Sequence, residues 1–355
     1  MNILVFGAGQ IGKCAAFLLA NLGDYRVFLA DKFFDNASKS LANLELISLD
    51  ALDHSTVIDF IKNNNILAVC SCLPYFCNLE IARAVVNTDS AYFDLTEDFQ
   101  DANKIRDIFT KSFAFTQCGL APGYVDMLVH NIAKDFEVME NVEVRTGALS
   151  SKVDNVLKHS CAWSVDGLIN EYVKDAECII DSKRVVVPGL SRLSTDIIFD
   201  QEYEMFATSG GIGGLVRLLA GRANNIEYKT IRYPGHCSAM LSLLDEYKLR
   251  SNLQLLRELL LHVMRPLDSD KVLVDIKVNG KLLNGSQQQA RVSKVFAPKV
   301  IVDKKWLAIQ WTTAASVCAM IDLFLNEKLQ DVDCQDQLDL AVFSNNKFGR
   351  LFLDK

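Results

Sequence analysis

The chain has 355 residues, half of them hydrophobic, enough for about two or three domains with a sizeable core. Lys and Arg number 37 against 44 Asp and Glu, and the net charge of −7 argues against nucleic acid as the main partner. Ten scattered cysteines, a first segment that reads as a strand, and no apolar run of the ~18–20 residues a membrane span needs give three expectations: reduced thiols, a cytoplasmic location and no membrane partner.

Met1–Phe6 is an apolar, β-branched run, followed at once by Gly7-Ala8-Gly9-Gln10-Ile11-Gly12 and the helical Lys13–Leu19. Strand, glycine turn and helix in that order supply the context that the dinucleotide fingerprint G-x-G-x-x-G requires. Gly7 permits the tight turn, Gly9 lets backbone approach a pyrophosphate, and Gly12 lets the helix pack close to the strand. The N–H groups at the helix start, those of Gln10 and Ile11 among them, face the phosphates with the positive end of the helix dipole behind them. A second strand, Tyr25–Ala30, ends in Asp31, 19 residues after Gly12. An acid there grips a ribose 2′-hydroxyl and repels a 2′-phosphate, which favours NAD. Lys32 follows directly and offsets part of that repulsion, so NADP stays open.

The alternation continues. Leu44–Leu49 reads as a strand, Ser55–Asn63 as a helix, and Ile66–Leu73 as a strand buried on both faces, ended by Pro74. Leu79–Val86 is helical, Ala91–Leu95 a strand, Ala102–Phe109 a helix and Ser112–Gln117 a strand. The expected fold is α/β, with an N-terminal Rossmann-type, doubly wound parallel sheet that binds ligands beyond the carboxyl ends of its strands. Leu73 and Pro74 then belong to the cofactor site. Tyr75 either hydrogen-bonds substrate or packs. Glu97, in Asp94-Leu95-Thr96-Glu97, either handles a substrate ammonium or is a first-turn helix acid. Cys70, Cys72 and Cys77 form the densest thiol cluster, but no second ligand pair or His accompanies them, so no metal site is expected.

The pattern changes near residue 122. Gly123–Phe136 reads as a helix and Asn141–Ala148 as a strand; the stretches at 163–171, 179–187, 202–208 and 271–278 read as mixed α+β. Leu253–Met264 is an amphipathic leucine helix, and Ala308–Leu325 is an apolar helix rich in small residues. The expected division is a dinucleotide-binding domain over 1–122, an inserted α+β substrate and dimerisation domain over 123–307, and a C-terminal return over 308–355 that packs on the first domain. Gly123 offers a ligand close backbone approach. Asp126, one turn into its helix, is the best carboxylate for handling an amine, with helix capping as the alternative. Ser164 and Asp166 are ready caps. The N–H groups of Gly210 and Gly211 either hold a substrate carboxylate or belong to a flexible turn. In Arg232-Tyr233-Pro234-Gly235-His236, Arg232 can fork onto a carboxylate, and His236 either relays a proton or is structural. No Ser-His-Asp or Cys-His arrangement makes a case for nucleophilic catalysis.

The Gly7–Gly12 fingerprint, Cys72-Leu73-Pro74-Tyr75, Asp94-Leu95-Thr96-Glu97, Gly119-Leu120-Ala121-Pro122-Gly123, Thr208-Ser209-Gly210-Gly211 and Lys229–His236, in this order and spacing, resemble the saccharopine dehydrogenase family, including its lysine 6-dehydrogenase-like members. The likeness runs from the first residue to about residue 350. It implies an NAD(P)-dependent oxidoreductase acting on the C–N bond of a lysine-type amino acid. Hydride leaves the carbon bearing nitrogen for nicotinamide C4, and water then opens the imine. Saccharopine would release glutamate and lysine would release ammonia; carboxynorspermidine dehydrogenases form a third branch. The site expected from these residues has Asp126, in a segment that the resemblance places between cofactor and substrate, with Glu97 and His236 serving catalysis. Tyr75, Pro122, Gly123, Gly210, Gly211 and Arg232 then contact substrate. A homodimer is expected only because dimers are common among soluble enzymes. The reading from another class is a nucleotide-sensing protein that uses the fold without turnover.

Overall fold

The computed structural model describes residues 1–34, 42–110, 112–152, 154–160, 163–264, 267–329 and 335–353. They divide into two units, one of Met1–Met127, Val302–Lys304 and Gln310–Lys355, the other of Leu128–Ile301 and Lys305–Ile309.

In the first unit six parallel strands, β1 (Asn2–Phe6), β2 (Arg26–Asp31), β3 (Leu44–Ser48), β4 (Ile66–Ser71), β5 (Ala91–Asp94) and β6 (Ala114–Phe115), run in the order β3-β2-β1-β4-β5-β6. This is a doubly wound parallel sheet, as expected from the sequence, and its order reverses direction between β1 and β4. Helices α1 (Gln10–Leu22), α2 (His54–Asn63), α3 (Tyr75–Val85) and α4 (Phe99–Ile108) make the crossovers. Asp53 and Asp98 start α2 and α4 by accepting backbone N–H groups one turn on. β1 is buried from Ile3 to Phe6 and joins the core shared by Val57, Ile61, Val69, Ile81 and Tyr92. The strand expected over Ser112–Gln117 shrinks to two residues, because Gln117 turns the backbone to φ 63.

Helix α5 (Tyr124–Ala133) stops short of the Phe136 expected to end it. Phe136 is instead the buried first residue of β7 (Phe136–Ser150), a long strand of which Asn141–Ala148 is only the middle. The second unit continues with α6 (Val165–Val173), β8 (Ala176–Ile180), β9 (Lys183–Val187), β10 (Ser194–Ile198), β11 (Gln201–Ala207), α7 (Leu215–Leu218) and β12 (Ala223–Arg232). It ends with α8 (His236–Leu241), α9 (Leu253–Val263), β13 (Asp270–Leu282) and β14 (Gln287–Phe296). The sheet order is β10-β11-β12-β7-β13-β14, with β8 on β12 and β9 on β8. The sequence predicts a helix over 215–220, but α7 is a single turn. No strand was expected over 287–296, yet this stretch pairs along β13 as an edge strand, with Gln287-Gln288-Gln289 exposed.

One face of this sheet meets Leu168, Tyr172, Met240, Leu256 and Leu260 from α6, α8 and α9, packed with Phe206 of β11. The opposite face follows the period of two along β7 and β13. Leu149 and Leu273 join Ile198, Tyr203, Met205 and Ile231 there. Arg145 and Asp275 lie on the same face as a buried pair. Asp275 also accepts from Arg291 Nε at 2.7 Å and Ser293 Oγ at 2.5 Å, and Arg145 reaches Asp196 at 2.9 Å. Removing the Asp275 charge leaves the buried Arg145 with only part of its counter-charge, from Asp196. Asp275→Asn is therefore expected to lower unfolding stability by about 3–5 kcal/mol in denaturant titration, and a loss under about 1 kcal/mol would show the cluster to be inessential.

The chain returns to the first unit through α10 (Ala308–Leu325) and α11 (Leu340–Asn345). α10 is long and apolar enough to cross a membrane by length and composition, but 78% of it is buried inside the protein. Two of the polar residues that interrupt its apolar run, Ser316 and Asp322, are hydrogen-bonded there. Asp322 accepts from Tyr25 Oη at 2.5 Å and Asn346 Nδ2 at 2.6 Å, and Ser316 Oγ accepts from Gln335 Nε2 at 2.7 Å. It is a core helix.

Candidate functional site

The dinucleotide fingerprint lies at the reversal point of the first sheet. Gly7 has φ 97, and a Cβ there would stand 2.8 Å from the carbonyl oxygen of Cys72, so the loop after β1 touches the loop after β4. Gly12 is needed for packing, since its Cβ would lie 1.8 Å from Gly7 O. Gly9 differs: a Cβ built on it meets no atom within 4 Å. That open space lies over the N-terminus of α1, which has no side-chain cap and no acid in its first turn. Exposed backbone donors at an uncapped helix start fit a pyrophosphate. Gln10 Oε1 accepts from Gln310 Nε2 at 2.8 Å, and Ile11 is half-buried. Asp31 braces the same loop, accepting from Ala8 N–H at 2.7 Å and Phe33 N–H at 3.1 Å. Lys32 pairs with Asp50 at 2.9 Å in a largely exposed position.

The ends of β4 and β5 are tied by a buried network that the sequence did not disclose. Ser71 Oγ donates to Asn78 Oδ1 at 2.7 Å, and Asn78 Nδ2 donates to Thr96 Oγ1 at 2.6 Å. Thr96 Oγ1 donates to Asp94 at 2.8 Å, and Asp94 also accepts the Gln117 N–H at 3.1 Å. Asp94, passed over in the sequence in favour of Glu97, is thus the anchor that fixes three loops at the carboxyl edge. Burial pushes its pKa up, and the bonds it accepts pull back. Half-buried Glu97 sits just beyond it, as do Leu73, Pro74 and Tyr75 after β4. Among the described residues no group of three or more His, Cys, Asp or Glu could hold a metal ion.

The Gly119–Asp126 segment forms a closed loop. Tyr124 N–H and Val125 N–H bond back to Gly119 O and Leu120 O, and the buried Pro122 follows a cis bond. Gly123 has φ 132, and a Cβ there would strike Gly119 O at 2.2 Å. The loop's own packing is by itself enough to require this glycine. Asp126 Oδ2 accepts the Gly123 N–H at 2.9 Å, half of a capping box, while buried Oδ1 has no partner among the described residues. Burial, then the nearby Asp336, pushes its pKa well up. The capping alternative is the one this geometry favours.

In the second unit, β12 turns Tyr228, Thr230 and Arg232 to one face, with Thr146 beside Thr230 on β7. Tyr228 Oη bonds Thr146 Oγ1, and Thr208 Oγ1 bonds Thr230 Oγ1 at 2.7 Å. Gly211 is required by the Tyr228 ring, which a Cβ would meet at 2.0 Å, and Gly210 has φ 91. Arg232, 2% exposed, donates from Nε to Tyr172 Oη and from Nη1 to Ile231 O, each at 2.9 Å. Tyr172 O–H then donates to His236 Nε2 at 2.9 Å, and His236 Nδ1–H donates to Leu157 O at 2.5 Å. The direction of that chain makes His236 a neutral Nδ1–H tautomer. Its ring stacks at 7° on Phe206. Burial, then Arg232, holds its pKa at about 3. Of the two roles expected for His236 the geometry favours the structural one over the proton relay: with both nitrogens engaged and no exposed surface, it positions Tyr172.

Glu204, opposite Arg232 across the β11–β12 pair, holds the following turn by accepting N–H bonds from Gly235 at 2.8 Å and Cys237 at 2.5 Å. Ser164 is the observed cap of α6, and Asp166 pairs with Arg257 at 2.9 Å. Glu171 and Tyr172, near the end of α6, are residues that no local signal singles out, because only tertiary packing brings them to Arg232.

The sequence matches the family model described as the saccharopine dehydrogenase NADP binding domain over residues 3–111, and that of the saccharopine dehydrogenase C-terminal domain over residues 119–336. The fold is similar to apo saccharopine dehydrogenase (L-Glu forming) from Saccharomyces cerevisiae, with a TM-score of 0.74 at 16% identity over 93% of this chain and 92% of that one. It is also similar to the homospermidine synthase of Legionella pneumophila in complex with NAD, with a TM-score of 0.63 at 12% identity over 100% of this chain and 90% of that one.

Proposed function

The chain belongs to the saccharopine dehydrogenase family, and we propose that it oxidises the C–N bond of a lysine-type amino acid with a nicotinamide dinucleotide. When bound, the dinucleotide supplies the hydride acceptor for the carbon that bears nitrogen. The chain's own residues bind and orient. The Gly7–Gly12 loop and the start of α1 take the pyrophosphate, with Asp31 bracing the loop. Arg232 takes a substrate carboxylate, and Glu97 is the carboxylate offered to the amine. Water then opens the substrate imine.

The observation that supports an amino-acid substrate is Arg232. Two arms of its guanidinium are pinned by Tyr172 and Ile231, which leaves the third arm presented without a hydrogen-bonded partner among the described residues. A polyamine without a carboxylate has no use for it. The test follows dinucleotide reduction by absorbance, with NAD and with NADP, against lysine, saccharopine and carboxynorspermidine separately. Ammonia release from lysine or glutamate release from saccharopine identifies the substrate. Silence with all three removes the proposal.

The same assay separates the two readings of Asp126. Asp126→Asn keeps an acceptor for Gly123 N–H and removes a charge that burial already suppresses. Its kcat/KM is expected within about threefold of the parent, whereas a loss of about a hundredfold or more at unchanged melting temperature would return Asp126 to the chemistry.

A further inference from the structure

Among the described residues of the second unit, Glu171 Oε2, Arg232 Nη2 and the His159 ring lack the hydrogen-bond partners that buried groups ordinarily have. Glu171, its side chain 15% exposed, has a buried Oε2 that accepts no hydrogen bond among the described residues. Arg232 Nη2 stands 4.0 Å from that oxygen, too far for a hydrogen bond. His159, 2% exposed, has no partner at either ring nitrogen among the described residues, and packs edge-on to His236 with centroids 5.3 Å apart.

The surroundings keep the ion pair open. Tyr172 Oη and Ile231 O fix the guanidinium plane, while Ser209 N–H bonds Glu171 O at 3.0 Å and fixes the end of α6. Burial drives the Glu171 pKa up to about 7, with Arg232 pulling it back. The other titratable groups close by are Tyr228, Tyr172, His236 and His159. Burial pushes Tyr228 up, and burial, Arg232 and His236 push His159 down. A carboxylate arriving alone at Nη2 is repelled by Glu171, and an ammonium arriving alone is repelled by Arg232. A group that carries both charges one carbon apart satisfies both.

We infer that Glu171 and Arg232 together form a receptor for the zwitterionic head of an α-amino acid, with Arg232 taking the α-carboxylate and Glu171 the α-ammonium. His159 adds an unspent ring N–H beside them. The reacting C–N bond then belongs to the distal end of the substrate. Lysine, saccharopine and carboxynorspermidine all carry this head, whereas simple polyamines do not. The inference rests on the amino-acid reading above for its substrate, but its test does not depend on turnover.

The test is titration calorimetry on the full chain with L-norleucine, which is lysine without its distal amine, and with hexanoate and pentylamine, which each keep one charge. Norleucine is expected to bind at least about tenfold more tightly than either single-charge probe. Glu171→Gln should weaken norleucine by about tenfold while hexanoate, the control for folding, binds as well or better. Glu171→Asp should recover part of the loss. Parent affinity for norleucine should rise from about pH 6 to about pH 8 as Glu171 ionises, and Glu171→Gln should be flat over that range. Equal binding of norleucine and hexanoate, no binding of any probe, or an unchanged ratio in Glu171→Gln overturns the receptor. Norleucine selectivity without turnover of any amino acid would sustain the receptor and reject the dehydrogenase reading; turnover without selectivity would do the reverse.

Discussion

Gly9→Val is expected to weaken NAD or NADP binding by about a hundredfold or more while leaving the melting temperature within about 2 °C of the parent. Gly9 has φ −75, a conformation open to any L-residue, and a Cβ built on it meets nothing within 4 Å. The protein itself thus has no need of glycine here. The proposed need for it is a ligand whose phosphates come against the backbone at the start of α1. Gly12→Ala is the contrasting substitution, because its Cβ would fall 1.8 Å from Gly7 O and the fold must move to receive it. Calorimetric titration of both dinucleotides, with thermal melts of both variants, distinguishes the cases. If Gly9→Val binds dinucleotide like the parent, the open space over α1 is not the pyrophosphate site. If it melts like Gly12→Ala, the glycine is structural after all.

The contrast between these glycines also marks where sequence reasoning stops. The strand, turn and helix of Met1–Leu22 were legible because their signals are local: a β-branched run, glycines at fixed spacing and a helical repeat within about twenty residues. The parallel, doubly wound sheet followed from the alternation of short apolar runs with helices, whereas its strand order came only with the fold. Gly123 was legible as special but its packing role was not, since its collision partner, Gly119 O, is known only once the loop has closed. Asp94, Asn78 and Ser71 form one network that joins the ends of β4 and β5 to α3, and no spacing in the sequence announces it. β14 escaped because an edge strand keeps its outward face polar. Glu171 and Arg232 are 61 residues apart in the sequence, on a helix and a strand. The sequence offered Arg232 as a carboxylate ligand from its residue type, but the carboxylate beside it, which decides what kind of ligand fits, comes only with the fold.

Arg232→Lys should raise KM for the amino-acid substrate by about a hundredfold, leave kcat within about threefold and leave dinucleotide affinity unchanged. Lysine keeps the positive charge, so charge alone is not what the substitution tests. It removes the planar fork that serves Tyr172 Oη and Ile231 O and still presents Nη2. An ammonium on a flexible stem cannot make those two bonds and also offer a fixed donor to a carboxylate. Two buried acceptors lose their donor, at about 1–3 kcal/mol each, so a lower melting temperature should accompany the kinetic change. His236 is insulated from this loss, because it receives the Tyr172 O–H and donates to Leu157 O without help from Arg232. Arg232→Ala goes further, for it also removes the cation that restrains Glu171 and burdens His236. Glu171 should then titrate above about 7 and His236 above about 3. The KM-against-kcat split decides among roles. A raised KM alone places Arg232 at the substrate head. A fall in kcat at constant KM moves it to the reacting centre. Dinucleotide binding that weakens while KM holds would take Arg232 out of the substrate site altogether.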